Sequence, residues 1–349
     1  MTCTVVMPVH NHAALTARCL EELLARPDEA LAEIVVVDDG STDSTPALLE
    51  QRGRDVHVVR HDSNMGYASS CNDGVAVAAC EWVVLLNNDT IVQRGWLDNL
   101  VRYASARERV GAVGSKLLFP DDTIQHAGVV FDRDLTPQHI YVGFPADHPA
   151  VATSREFQAV TGACLLIRRG LFQELGGFDT AFWNIYEDID LCLRLRRHGY
   201  EVHYCHESVL YHLESATRDP DPDHRSIELF LERWQGFVYQ DDIRYYAEDG
   251  LIEITYSGQF PVIVGVSPRL AVLHRERRDA AERLLAERSR QVYETLKENT
   301  RLRVELLDAN QRADAASLAS PGHGSAADGA RQAGRHGADA GRRADTADP

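Results

Sequence analysis

Short apolar segments alternate with segments of helical periodicity along the first part of the chain. The alternation predicts strands at 3–9, 33–39, 56–61 and 81–89, separated by helices at 13–25, 45–52 and 67–79. These strands are continuously apolar, which indicates a parallel sheet with helices on both faces. Because such sheets bind ligands beyond the carboxyl ends of their strands, the polar residues at those ends are the first candidates for a functional site.

The pattern changes after residue 110. There it predicts strands at 110–119, 124–131 and 158–168, a helix at 187–198 and a further strand near 200–206. Longer connections separate these elements, which favours a mixed region that shapes the substrate side of the sheet. The predicted fold class is α/β, with a mostly parallel, Rossmann-like sheet.

The C-terminal part of the chain has a different composition. Past Pro268, apolar residues at helical spacing predict a long helix or a pair of helices. This segment could form a coiled-coil homodimer or pack on the chain's own body, because arginines interrupt its apolar seam. Beyond residue 313 almost no large apolar side chain remains, so disorder is expected. We therefore predict a main domain over 1–262, a helical extension over 263–312 and a disordered tail over 313–349.

Composition narrows the class of protein. The chain has 349 residues, of which 44% are hydrophobic, and a formal net charge of −17. The acidic balance argues against a nucleic-acid partner, so an anionic substrate would need a cation or a local basic site. Seven cysteines without a C-x-x-C pair indicate buried, reduced thiols and a cytoplasmic setting. Neither a secretory leader nor an apolar run of about 18 residues is recognisable, so no transmembrane segment is predicted.

Acidic and amide side chains follow two of the predicted strands. Asp38 and Asp39 end one strand in "VVVDDGSTD", and Asn87, Asn88 and Asp89 end another in "LLNNDT". Asp38 and Asp39 would project toward a ligand, and the oxygens of Asn87, Asn88 and Asp89 would suit Mg²⁺ or Mn²⁺. Turn formation and helix capping explain either group when it is taken alone.

Further polar residues come later in the chain. Glu187 and Asp188 stand at the start of a predicted helix, where the helix dipole alone could account for them. His212 lies just beyond a short apolar stretch. Capping explains single acids better than it explains a convergence, so we expect one shared site at this sheet edge. Its members would be Asp38, Asp39, Asp89, Glu187, Asp188 and His212.

A series of ordered motifs over roughly residues 3–215 resembles the inverting family 2 glycosyltransferases of GT-A fold, closest to the rhamnosyltransferase-like branch. The motifs are "MPVHN", "VVVDDGSTD", "NMGYASSCNDGV", "LLNNDT", the long segment from "TGACLLIRR" to "YEDIDLCLRLRRHGY", and "VLYHLES". The resemblance implies a UDP- or dTDP-sugar donor, a divalent metal (Mg²⁺ or Mn²⁺) and direct displacement at the anomeric carbon. It leaves the acceptor open among saccharides, lipid-linked glycans, peptides and small molecules.

The resemblance also implies roles for single residues in donor binding. The nucleotide-sugar pocket would comprise Pro8, His10, Asn11, Asp38, Asp39, Asn64, Gly66, Asn72 and, as a weaker and water-mediated partner, Asn88. Asp89 and His212 would hold the metal, with His206 the less favoured histidine. Because neutral Asn87 and Asn88 stand where the family has acids, we expect modest metal affinity until a diphosphate contributes oxygens.

The catalytic roles implied by the resemblance fall on the later acids. Asp188 would accept the proton of the acceptor hydroxyl, and Glu187 would help to orient the site. Phe182 and Trp183 could form an acceptor platform or could simply pack against the helix.

Three alternative functions require other features or other behaviour. A sugar-phosphate nucleotidyltransferase would need a glycine-rich phosphate loop with a basic residue near the N-terminus, and no such loop is recognisable. A dinucleotide oxidoreductase is disfavoured because no G-x-G-x-x-G follows the first strand. A non-catalytic glycosyltransferase-like scaffold would bind nucleotide without hydrolysing or transferring the sugar.

Overall fold

The computed structural model describes residues 1–25, 27–183, 185–213, 224–255 and 263–267. All of them fall within the first of two compact units into which the chain divides, Met1–Arg278. The predicted C-terminal helix, its homodimer and the predicted disordered tail lie outside the described residues and stay predictions. Residues 263–266 form a strand, so this part of the predicted helical extension is not helical.

Strands and helices alternate through the first half of the described chain. The strands are β1 Cys3–Val9, β2 Leu31–Asp39, β3 His57–His61, β4 Trp82–Leu86, β5 Thr90–Val92, β6 Val110–Leu118, β7 Ile124–His126, β8 Val129–Phe131, β9 Pro137–His139, β10 Arg155–Phe157, β11 Cys164–Arg168, β12 Glu201–His212, β13 Ile252–Thr255 and β14 Ile263–Val266. The helices are α1 Ala13–Ala25, α2 Thr45–Gln51, α3 Tyr67–Val77, α4 Trp96–Ser105, α5 Arg169–Glu174, α6 Glu187–Arg197, α7 His224–Trp234 and α8 Asp242–Glu248.

One large sheet organises the fold, with the strand order β10-β12-β6-β11-β4-β1-β2-β3. The neighbours β3, β2, β1 and β4 are parallel, as are β6 and β12. β11 is antiparallel to both β4 and β6, and it joins the two parallel groups. The mostly parallel sheet predicted from the sequence is confirmed.

The core lies on both faces of this sheet. Alternate residues of β1 enter different apolar clusters, because successive side chains of a strand point to opposite faces. Val5 packs in the cluster that contains Leu20 of α1 and Leu100 of α4. Val6 packs in the cluster that contains Leu193 of α6. The prediction of helices on both faces is therefore confirmed.

Two predicted strands are shorter than expected. The strand predicted at 124–131 is divided into β7 and β8, and Gly128 between them has a φ of +117°. A Cβ atom at Gly128 would lie 2.4 Å from the ring of Phe157, so glycine is required at this break. The strand predicted at 158–168 is extended only over β11. Four helices of the structure, α4, α5, α7 and α8, were not predicted.

All seven cysteines are free thiols, and six of them are buried. The prediction of reduced, buried cysteines is confirmed. Within the described ranges, no helix is both long enough and apolar enough to cross a bilayer.

Candidate active site

The ends of β4 and β12 bring Asp89 and His212 together. β5 follows directly on Asp89 and pairs antiparallel with the last residues of β12, so that His212 lies opposite Thr90. The Leu213 N–H donates to the backbone oxygen of Asp89 at 2.9 Å and fixes the register. As a result, His212 Nε2 lies 3.1 Å from Asp89 Oδ1.

This pair fits a divalent cation. The Asp89 side chain is 3% exposed, and no described residue gives its Oδ1 a hydrogen bond. Two atoms bound to an octahedral cation at about 2.1 Å and at right angles lie about 3 Å apart, close to the observed separation. A carboxylate and an imidazole are also a donor set that Mn²⁺ accepts.

Asn87, for which the family resemblance implied no role, lies beside this pair. Its Nδ2 lies 3.5 Å from His212 Nε2, and its buried Oδ1 has no hydrogen-bond partner in the described ranges. Asn88, which was the predicted partner, instead donates from Nδ2 to Thr16 Oγ1 of α1 at 2.9 Å. Consecutive residues leaving a strand point in different directions, and this alternation could have indicated Asn87.

Few protein side chains beside Asp89 and His212 could serve as metal ligands. Nowhere in the described part of the chain do three or more His, Cys, Asp or Glu side chains form a group that could hold a metal ion. A cation beside Asp89 and His212 would therefore need oxygens from water or from a bound diphosphate. This agrees with the expectation that metal affinity is modest in the absence of donor.

Asp38 and Asp39 at the end of β2 are buried and shape the surrounding loops. Asp38 Oδ1 accepts the Ser41 N–H at 3.0 Å, and its Oδ2 accepts Arg60 Nη1 at 2.7 Å. Asp39 Oδ1 accepts the Met65 N–H at 2.7 Å. The Ser41 bond is a turn contact of the kind the alternative explanation describes, whereas Arg60 and Met65 belong to other segments of the chain. A nucleotide-sugar donor would have to use the carboxylate lone pairs that remain.

The end of β1 forms a polar rim next to these aspartates. Pro8 is buried within β1, whereas His10 is exposed and its Nδ1 lies 2.7 Å from the Asp39 backbone oxygen. Asn11 has a φ of +60° and accepts the Thr42 N–H at 2.8 Å through Oδ1. These contacts join the end of β1 to the loop after β2.

The start of α3 lies against the segment that precedes α6. Gly66 has a φ of +88°, and a Cβ atom there would lie 3.2 Å from the Trp183 ring. Asn64 is exposed beside it and accepts the Gly66 N–H at 3.0 Å. Asn72 uses both ends of its amide on the backbone of Phe178, at 2.8 Å each, so it ties the two segments together.

Phe182 and Trp183 differ sharply in exposure. Phe182 is 0% exposed and packs in the core, so it cannot form the predicted acceptor platform, and the packing alternative describes it. Trp183 is 48% exposed and lies over Gly66. Only Trp183 of the two offers a surface to an acceptor.

Asp188 is held in place by two backbone donors in the first turn of α6. Its Oδ2 accepts the Gly162 N–H at 2.6 Å, and its Oδ1 accepts the Ile189 N–H at 2.8 Å. Burial raises the pKa of the Asp188 carboxyl above its ordinary value, although these two N–H groups and His139 act in the opposite direction. A carboxylate with a raised pKa is a stronger base once it is ionised.

The Asp188 carboxylate and the Asp89 cluster are connected through residues 162 and 163. Gly162 donates to Asp188, and the next residue, Ala163, accepts the Asn87 N–H at 3.0 Å. Tyr67 donates to the Gly162 backbone oxygen at 3.0 Å on the same side. Two consecutive residues therefore connect Asp188, the candidate base, to Asn87 beside the candidate metal ligands.

The other two acids of α6 are buried. Glu187 is 6% exposed at the first position of the helix. Asp190 is fully buried and is bound by Arg194, Arg233 and Trp234, at 2.7, 2.8 and 3.0 Å. Asp190 holds α6 against α7 and has no role in the site.

His206 lies away from this cluster. Its Nδ1 is 2.7 Å from Ser154 Oγ, and it lines a surface cavity together with Arg102 and Arg107. Of the two histidines considered, only His212 stands beside Asp89.

The fold and the arrangement of polar residues at its edge define an α/β enzyme domain of GT-A type. Residues 4–176, about half of the chain, match the model described as glycosyl transferase family 2. The chain belongs to glycosyltransferase family 2 through this domain. A crystal structure of GalNAc-T7 with UDP, GalNAc and Mn²⁺ has the same fold, with a TM-score of 0.54 and 17% identity over 71% of this chain and 55% of that one.

Three proteins illustrate what this chain is similar to in sequence. The O-antigen biosynthesis protein RfbC of Myxococcus xanthus is 36% identical, over 62% of this chain and 18% of its own length. The N-acetylglucosaminyl-diphospho-decaprenol L-rhamnosyltransferase of Mycobacterium tuberculosis is 29% identical, over 65% of this chain and 84% of its own length. The protein y4gI of Sinorhizobium fredii is 31% identical, and this chain spans 28% of its length.

Proposed function

We propose that this chain is an inverting glycosyltransferase that moves a sugar from a UDP- or dTDP-linked donor to an acceptor hydroxyl. The observation that carries the proposal is the junction at residues 162 and 163, which contacts the Asp188 carboxylate on one side and Asn87, two residues before Asp89 of the Asp89–His212 pair, on the other. The named rhamnosyltransferase relative and the GT-A neighbour solved with UDP and Mn²⁺ support the same reaction class.

Asp188 would act as the base that accepts the proton of the acceptor hydroxyl. Its two oxygens have about four lone-pair positions, and backbone donors use one on each oxygen. These donors fix the orientation of the carboxylate and leave acceptor capacity free. Proton transfer of this kind contributes about 10²- to 10⁴-fold to rate. Glu187, next to Asp188, would orient the acceptor.

Asp89 and His212 would hold a divalent cation, with Asn87 beside them. When bound, Mg²⁺ or Mn²⁺ would stabilise the negative charge of the departing nucleoside diphosphate. The loops shaped by Asp38 and Asp39 would receive the base and ribose. Trp183, at the mouth of the site, would contact the acceptor.

The proposal is tested with a panel of UDP- and dTDP-sugars in the presence of Mn²⁺ or Mg²⁺, scored by thermal shift and by slow donor hydrolysis. One donor should stabilise the protein only with metal and should be hydrolysed slowly. The Asp89→Asn variant should lose the metal-dependent part of nucleotide binding, because a ligand oxygen loses its charge. The same variant without metal should melt at or above the wild-type temperature, since a buried carboxylate without a hydrogen bond at Oδ1 disfavours folding.

His206→Ala is a matched control, since it removes another β12 histidine, which lies away from Asp89, and should leave metal-dependent binding unchanged. His212→Ala should weaken that binding less than Asp89→Asn. Normal metal dependence in both site variants would contradict the metal assignment. Donor binding without hydrolysis or transfer would instead favour a non-catalytic scaffold.

The pH dependence of kcat provides a separate prediction. Asp188 must be ionised to accept a proton, and burial raises its pKa, so kcat should fall with decreasing pH at a midpoint above the ordinary aspartate value of about 3.9. The profile is measured at saturating metal and donor, because metal binding is itself pH-dependent, with circular dichroism at each pH to confirm folding. A midpoint at or below the ordinary value would contradict the assignment of Asp188 as base.

A further inference from the structure

Gln125 is the extra residue of a β-bulge next to the candidate metal ligands. In the pairing of β6 with β7, Leu117 lies opposite His126 and Leu118 lies opposite Ile124, so the register shifts at Gln125. Bulges near functional sites commonly redirect a side chain. Here the Gln125 side chain is 2% exposed and reaches His212 on β12.

Two contacts define how Gln125 meets His212. Gln125 Nε2 donates to the His212 backbone oxygen at 3.2 Å, and Gln125 Oε1 lies 2.6 Å from His212 Nδ1. The reverse orientation of the amide would place its oxygen against a carbonyl oxygen, which can only accept. The amide oxygen therefore faces Nδ1.

This orientation determines the tautomer of His212. An amide oxygen can only accept, so Nδ1 must carry the proton, and Nε2 of the neutral ring is left with a lone pair. That lone pair lies 3.1 Å from Asp89 Oδ1, with no hydrogen bond between the two atoms, and Asn87 Nδ2 is a donor 3.5 Å from it. Two electron-rich atoms this close are a suitable arrangement for a shared cation.

We propose that Gln125 is a positioning residue that holds His212 as the Nδ1–H tautomer and so presents Nε2, beside Asp89, as a metal ligand. The inference rests on the proposed function, because that function supplies the metal. Partners of this kind typically change metal affinity by 10- to 100-fold when they are removed.

The test compares Gln125→Leu with Gln125→Glu in the full chain. Leucine has a similar volume but accepts no hydrogen bond, whereas glutamate, ionised or protonated, keeps an oxygen for Nδ1–H. The first readout is the ¹⁵N spectrum of the His212 ring without metal at about pH 8, where an ordinary imidazole is neutral. The second is Mn²⁺ affinity measured in the presence of UDP.

Gln125→Leu should shift His212 toward the Nε2–H tautomer and weaken Mn²⁺ binding by about 10-fold or more, and Gln125→Glu should restore both properties. Gln158→Leu is the matched control. Like Gln125, Gln158 is 2% exposed, and its side-chain amide hydrogen-bonds to the backbone of Tyr239. Its loss should therefore change stability without changing the His212 tautomer.

The outcomes separate this inference from the proposed function. Wild-type protein that binds no Mn²⁺ with UDP would contradict the metal site itself. A second outcome would overturn only the role of Gln125. In that outcome the wild-type protein binds Mn²⁺, and the Gln125→Leu variant keeps the Nδ1–H tautomer and binds Mn²⁺ with an affinity within about twofold of wild type. If Gln125→Leu does not fold, a Gln125→Glu variant that lacks the Nδ1–H tautomer would overturn it equally.

Discussion

Replacing Asp188 with asparagine is expected to lower sugar transfer by about 100-fold or more while donor affinity stays close to wild type. Asparagine keeps the size of the side chain but cannot accept the acceptor's proton. The loss should therefore appear in kcat, because the interaction is used mainly in the transition state. The measurement is steady-state transfer or donor hydrolysis with the donor identified by the panel.

A capping role for Asp188 predicts a different result. Asparagine is itself a good cap, and its amide oxygen can still accept one of the two N–H groups, from Gly162 or from Ile189. On that account the variant would be well folded and nearly as active as wild type, and the catalytic role would be refuted. Asp242→Asn is a suitable control, since Asp242 is a first-turn acid of α8 and has no place in the site.

The first half of the fold could be predicted from sequence because its strands are continuously apolar and its helices periodic. β12 was harder. The sequence predicted a strand near 200–206, whereas β12 extends to His212 through an irregularity between Cys205 and Val209. The polar residues at 206–208 hide this continuation, and the continuation is what brings His212 to Asp89.

The side-chain directions of the polar residues in the site were also difficult to predict from sequence. Sequence identifies that acids and amides gather at strand ends, but it does not show where each side chain points. Asn88 faces α1 while Asn87 faces His212, and Gln125 reaches the site only because a bulge redirects it. Such directions depend on register and bulges that form between distant parts of the chain.

The three acids of α6 make the same point within one helix. Glu187, Asp188 and Asp190 are the same kind of side chain within one turn, and helical periodicity alone gives no reason to separate them, although the family resemblance singles out Asp188. Position on the helix surface separates them, because residues two apart face different directions. Asp188 turns to Gly162 of the site, whereas Asp190 turns to α7.

Asp190→Ala is therefore expected to lower the free energy of unfolding, whereas Asp188→Asn is expected to lower kcat. The Asp190 carboxylate is 0% exposed and accepts hydrogen bonds from Arg194, Arg233 and Trp234. Removing one partner of a buried ion pair leaves uncompensated charge and typically costs about 3–5 kcal/mol. We expect the free energy of unfolding in urea to fall by an amount of this order.

The loss of Asp190 should also disturb the segment that Asn72 contacts, because Arg194 holds that segment. Arg194 also donates to the backbone oxygens of Leu175 and Gly177, at 2.7 Å each, so its guanidinium fixes the segment that Asn72 reaches at Phe178. Asp179→Ala is the graded control. Asp179 is one-third exposed on its side chain, and among the described residues it accepts from Arg233 and from the Ala181 N–H, so its removal should cost much less. If Asp190→Ala costs no more than Asp179→Ala, both arginines must find water or new partners, and the buried network would not be what holds α6 in place.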